Sequence, residues 1–181
     1  MLSEMQKVKC DGVQMLCHLL QTDLVSTIGE SVALGAAGII LWGDAGYASS
    51  KNSCSDLEAY LRGPLSQYLL NVSTAAELCS QTLCASHGRC LRKNPDSDVY
   101  LHLDPLTHSI TSLSGLPTLT GELGEAEMTR FQTEFQCQCF SGYRGEACDL
   151  TDPLHQRGGA APTTASALQC VILLIISLLL C

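Results

Sequence analysis

The chain has 181 residues and a formal net charge of -8, which suits one or two domains and makes nucleic acid and anionic membrane surfaces poor electrostatic partners. Its eleven cysteines point to an oxidising compartment. Residues 1–20 nevertheless carry Glu4, Lys7, Lys9 and Asp11 and have no sustained apolar core, so they do not form a signal peptide.

Residues 1–22 read as a leader, weakly amphipathic or disordered, in which Cys10 and Cys17 have no evident partners. Helical spacing follows: Leu24, Ile28 and Val32 lie four apart, with Val25 beside them. Asp23 is the candidate N-cap, Thr27-x-x-Glu30 a second capping signal, and Gly35 and Gly38 the stops. Ile39, Ile40 and Leu41 then form an apolar run between Gly38 and Gly43, the pattern of a strand buried on both faces of a parallel sheet. Helix, tight turn and buried strand make one αβ unit of an α/β protein. Ordering about 20 residues costs roughly 20–40 kcal/mol of backbone entropy, which only neighbouring strands can offset. The unit is therefore expected to belong to a larger fold. Trp42 and Asp44 lie at the carboxyl end of that strand, where α/β folds bind ligands. Trp42 either stacks on a sugar ring or caps the core.

Cys54–Arg62 reads as a helix with Leu57, Tyr60 and Leu61 on one side; Gly63-Pro64 interrupts it and Leu65–Leu70 resumes it. Asn71-Val72-Ser73 is a glycosylation sequon. Arg89, Arg92 and Lys93 read as a solvated charged face. Val99–Leu103 has strand character, and Gly124–Gln136 forms a short helix with Met128, Phe131 and Phe135 on one face. Residues 151–167 are a linker rich in Gly, Ala, Pro and Thr.

Six cysteines form a framework, Cys79-x4-Cys84-x5-Cys90 and Cys137-x-Cys139-x8-Cys148, for which fifteen pairings are possible. Cys84-x-x-His87-x-x-Cys90 has ligand-like spacing for zinc, with Cys137 and Cys139 to complete a site. The Gly142-Tyr143-x-Gly145 turn favours disulfides instead and leaves His87 as an exposed loop residue.

The closing stretch Cys137–Cys148 resembles the end of an EGF-like module. That resemblance implies Cys79–Cys90, Cys84–Cys137 and Cys139–Cys148, with an unusually long insert between Cys90 and Cys137. Asp23–Asp44, Lys51-Asn-Ser-Cys54 with its helix, Asn71-Val-Ser and this framework together resemble the end of vertebrate hyaluronidases. The implied fold is α/β: residues 23–71 are the last elements of a distorted (β/α) barrel, and residues 72–150 are a disulfide-stapled EGF-like domain. The implied activity is endo-hydrolysis of β-1,4 N-acetylglucosamine–glucuronate bonds in hyaluronan. A Glu serves as general acid and the substrate's acetamido group as nucleophile, with no cofactor and no metal.

The family's Asp-x-Glu pair has no match here: Asp56-x-Glu58 and Glu125-x-Glu127 read as solvated carboxylates. The catalytic set is therefore expected to be absent, which leaves Trp42 and Asp44 as the substrate-binding candidates. Cys54 matches a barrel cysteine whose partner is missing, and is expected to be unpaired. The reading of the chain as a partial hyaluronidase competes with that of a non-catalytic EGF-like cell-surface binding module.

Residues 151–181 end in the apolar run Cys170–Cys181, too short to span a bilayer, preceded by Gly158-Gly159-Ala160 and a polar spacer. This is the pattern of a GPI-anchor signal, with Gly158 as the attachment residue. It makes the chain most similar to the GPI-anchored branch of the family, at the cell surface or in lysosomes. The residues from Cys79 to Cys148 are expected to fold independently, and Asp23–Leu70 to remain poorly ordered.

Overall fold

The computed structural model describes residues 21–40, 50–113 and 116–153. Helix α1 (Gln21–Leu24) passes through a π-helical turn, Val25–Gly29, into α2 (Glu30–Ala33). Asp23 lies within the first turn rather than capping it, and its carbonyl accepts the Thr27 hydroxyl. Gly35 ends the helix at φ +78°, a conformation costly for any residue with a Cβ.

The described start of the expected buried strand is not a strand. Gly38–Ile40 is neither helix nor strand, and Ile39 and Ile40 are 37% and 88% exposed. An apolar run becomes a buried strand only beside other strands, and the described residues offer it none. Leu41 and Gly43 lie outside the described residues.

Ser50 caps α3 (Lys51–Tyr60) by accepting the Ser53 N–H. A second π-helical turn, Leu61–Leu65, carries the kink at Gly63-Pro64 and leads into α4 (Ser66–Leu83). Beyond it come β1 (Gly88–Arg92), β2 (His108–Leu113), β3 (Leu116–Gly121), α5 (Glu125–Glu134), β4 (Phe135–Cys139), β5 (Tyr143–Arg144) and β6 (Leu150–Thr151). They form three two-stranded antiparallel sheets, β1–β4, β2–β3 and β5–β6. The architecture is thus mixed helix and antiparallel strand. No closed barrel and no parallel pair occurs among the described residues.

Two apolar clusters share α4. The larger joins Ala75, Cys79, Cys84, Cys90, Leu101, Leu103, Phe131, Phe135 and Cys148. The smaller joins Leu24 and Ile28 of the first helix to Leu65 and Val72. Asp23–Leu70 is therefore not a loose appendage: where described, it is largely helical, meets the cysteine-rich core through Val32 and Ala33, and packs Leu24 and Ile28 on Leu65 and Val72. Gly29 makes that approach possible, because a Cβ there would collide with the Tyr68 hydroxyl.

Candidate functional site

Disulfides fix the frame. Cys79 is bonded to Cys90, Cys84 to Cys137 and Cys139 to Cys148. These sulfurs are consumed, so Cys84, Cys90, Cys137 and Cys139 have no thiolate to give a metal. His87 is half-buried, not an exposed loop residue: its ring stacks on Tyr143 at 3.9 Å between centroids. Cys54 is disulfide-bonded, which corrects the expectation of a free thiol.

Val99–Leu103 is in no strand: the His102 N–H donates back to the Tyr100 carbonyl at 3.1 Å, a tight turn at Leu101. Leu101 and Leu103 are buried at alternate positions. The backbone polar groups beside them still need partners, and side chains supply them. Arg92 donates to the Val99 carbonyl at 3.1 Å. Arg130 donates to the carbonyls of Tyr100, at 3.1 Å, and His102. The Leu103 N–H donates to Asn71 Oδ1 and the Asp104 N–H to Glu127 Oε1, each at 3.2 Å.

Three of these side chains were missed as functional groups in the sequence. Arg92 is 3% exposed, not part of a solvated face. Its burial follows from period-two counting along β1, which turns Gly88, Cys90 and Arg92 inward. Glu127 is 1% exposed, not a solvated carboxylate. Helical spacing places it on one face with Phe131, four residues on. His108 Nδ1 lies 3.5 Å from Glu127 Oε2, and Arg130 Nη2 lies 3.8 Å from Oε1. Arg130 itself gave no signal beyond its charge.

His102 donates to or accepts from the Tyr68 hydroxyl at 2.9 Å. Burial, aided by the nearby Arg130 charge, lowers the His102 pKa below its ordinary value. Burial raises that of Tyr68, with Tyr100 adding to the effect.

Glu58 pairs with Arg62 at 2.9 Å on an exposed helix face, and Asp56 and Glu125 are exposed. An open cavity of about 310 Å³ lies between the first helix and residues 92–100, lined by Glu30, Arg92, Asp96, Asp98 and Tyr100 among others. Arg92 faces Glu30 there through two hydrogen bonds, 2.6 and 3.0 Å. The described residues contain no cluster of three metal-ligating side chains.

Among known proteins, residues 12–152 match the model of the hyaluronidase family. The chain belongs to the hyaluronidase family. It is 45% identical to human hyaluronidase-2 over 156 residues, 84% of this chain and 33% of that protein. Rat hyaluronidase-2 is 43% identical over 156 residues, 84% of this chain and 32% of its own length. Hyaluronidase-1 of Bitis arietans is 42% identical over 135 residues, 72% of this chain and 30% of its own length. The chain thus spans about a third of the length of these hyaluronidases. The substrate candidates Trp42 and Asp44 and the anchor candidate Gly158 lie outside the described residues. No helix among the described residues is long and apolar enough to cross a membrane.

Proposed function

We propose that this chain is a supporting, non-hydrolytic part of a hyaluronidase-type glycosidase: the remnant of a distorted (β/α) barrel with a disulfide-stapled EGF-like domain. The whole enzyme would cleave β-1,4 N-acetylglucosamine–glucuronate bonds in hyaluronan. The observation that carries this reading is the state of the carboxylates. Glycoside cleavage needs an accessible acid that can reach the leaving oxygen. The buried carboxylate Glu127 has a fully covered side chain, and its Oε1 accepts the Asp104 N–H. Asp56, Glu58 and Glu125 sit on exposed helix surfaces. None of these four offers an acid beside a second carboxylate in a cleft, and Glu30, which shares the open cavity with Asp96 and Asp98, has both oxygens engaged by the Arg92 guanidinium.

Trp42 and Asp44 would contribute sugar contacts in the complete protein. The test is hyaluronan zymography of the purified chain, and no clearing is expected. Clearing stronger than that of a Trp42→Ala control would overturn the proposal.

A second reading, an EGF-like binding module at the cell surface, draws support from Phe140. Its ring is 42% exposed beneath the Arg89 guanidinium, 5.5 Å from the centroid. The same zymogram with a cell-binding assay separates the two: binding lost in Phe140→Ala favours the module.

Membrane attachment would be through a GPI anchor at Gly158, and Asn71 would carry its glycan on Nδ2. With a signal peptide fused to the chain, phosphatidylinositol-specific phospholipase C should release it from cells. Removal of N-glycans should lower its mass.

A further inference from the structure

The first helical stretch, residues 21–33, is short for a self-supporting helix: isolated helices below about 12–15 residues are marginal in water. It also contains Gly29 and a π-helical turn, both unfavourable to an isolated helix. Something outside it must hold it.

Apolar contact supplies one hold, Leu24 and Ile28 against Leu65 and Val72. The polar hold is made by two arginines of β1. Arg92 Nη2 and Nη1 meet Glu30 Oε1 and Oε2 at 2.6 and 3.0 Å, a bidentate pair with Arg92 buried. Arg89 Nη1 donates to the Gly35 carbonyl at 2.9 Å, where the helix ends. Leu91, Arg89 and Gln138 crowd the same glycine, so its backbone sits directly on the β1–β4 sheet. The clamp thus grips the second half of the helix and its terminus, away from Leu24.

Both arginines flank Cys90. That residue is bonded to Cys79, and opposite it in the register stands Cys137, bonded to Cys84. Two covalent bridges therefore set where the guanidinium groups stand.

We propose that Arg89 and Arg92 form a redox-dependent clamp, through which the oxidised disulfide module holds the helix at residues 21–33 and releases it on reduction. In the release step a dithiol gives each bridge two electrons and two protons. Each cystine becomes two thiols, and the dithiol leaves as its cyclic disulfide. Freed from Cys79 and Cys84, β1 and β4 lose their fixed register, and the arginines no longer converge on Glu30 and Gly35. The device needs no sugar chemistry, so it stands or falls apart from the proposed function.

The test is hydrogen exchange, read by mass spectrometry on the full chain exported behind a signal peptide and purified with its bridges intact. Four samples are compared: the oxidised chain, the chain after dithiothreitol, Glu30→Gln and Arg89→Met. Both variants alter partly solvent-facing side chains and leave the cysteines untouched. Amides of residues 21–33 should exchange about tenfold faster in each variant, while those of α4 keep their oxidised rates. After dithiothreitol, residues 21–33 should lose protection completely. Unchanged exchange at 21–33 in both variants overturns the clamp. So does protection that survives reduction, or a variant that speeds α4 as much as the helix.

Discussion

The two halves of this molecule meet the cost of chain order by different means. The cysteine-rich part, from Cys79 to Cys148, gathers Leu101, Leu103, Phe131 and Phe135 around three bridges. The helical part has a core of only four buried side chains, Leu24, Ile28, Leu65 and Val72, with one disulfide-bonded cysteine, Cys54. Helix α4 belongs to both: Val72 lies in the small core, Ala75 and Cys79 in the large one. A small core gains stability by leaning on a stapled one, and the shared helix transmits that support. The cysteine-rich part is the template and the helices are its clients.

The largest break in this comparison is expected from the bridge that closes the longest loop of the three in the cysteine-rich part. Cys84 and Cys137 are 53 residues apart, so replacing both by serine should cost about 4 kcal/mol by loop entropy. Urea unfolding should then show both parts melting together. A helical part that keeps its own transition would contradict its dependence.

The reverse experiment should be local. Ile28→Ala removes a side chain that is 5% exposed and should cost about 2–4 kcal/mol. The three bridges should form as before by peptide mapping; scrambled pairing would show that the template needs its client.

A smaller effect is expected at Glu127. Replacement by Ala strands the Asp104 N–H and leaves His108 facing an empty site, at a cost of about 1–3 kcal/mol. Thermal melting of the purified variant measures it, and no change would mean water replaces the carboxylate.

The smallest effect is a pH dependence. The His102 pKa is lowered in the folded chain by burial and then by Arg130, so the unfolded chain binds the proton more readily. The stabilising effect is present above the ordinary histidine range, about pH 6.5, and is lost as pH falls below it. His102→Gln should flatten this part of the stability profile; an unchanged slope would assign it to another group.

Periodicity made much of this readable. Phe131 is buried as the helical pattern requires, and Leu101 and Leu103 are buried at alternate positions; Phe135, read as helical, is buried from β4 instead, and Met128 stands exposed. What periodicity could not supply was the partner. Ile39 and Ile40 have the composition of a buried strand and stand exposed, because burial needs a neighbouring sheet. Val99–Leu103 has the pattern of a strand and lacks a strand beside it. Charged residues were the hardest to read, since Arg92 and Glu127 are usually surface types. Their burial is explained only when the carbonyls and N–H groups of residues 99–104 are followed to their partners. The candidate site was less legible than the fold, because the helix spacing that identifies a core stripe says nothing about which carboxylate can reach a sugar.

The way residues 99–104 satisfy their backbone has a further consequence. A lone strand normally exposes a row of backbone groups that another chain can pair with, the first step of aggregation. Here the carbonyls of Val99, Tyr100 and His102 and the N–H groups of Leu103 and Asp104 are occupied by Arg92, Arg130, Asn71 and Glu127. Those side chains are tethered to three separate elements, β1, α4 and α5, so the segment cannot slide as a ladder can. Long polar side chains thus take up backbone groups that another chain would otherwise pair with.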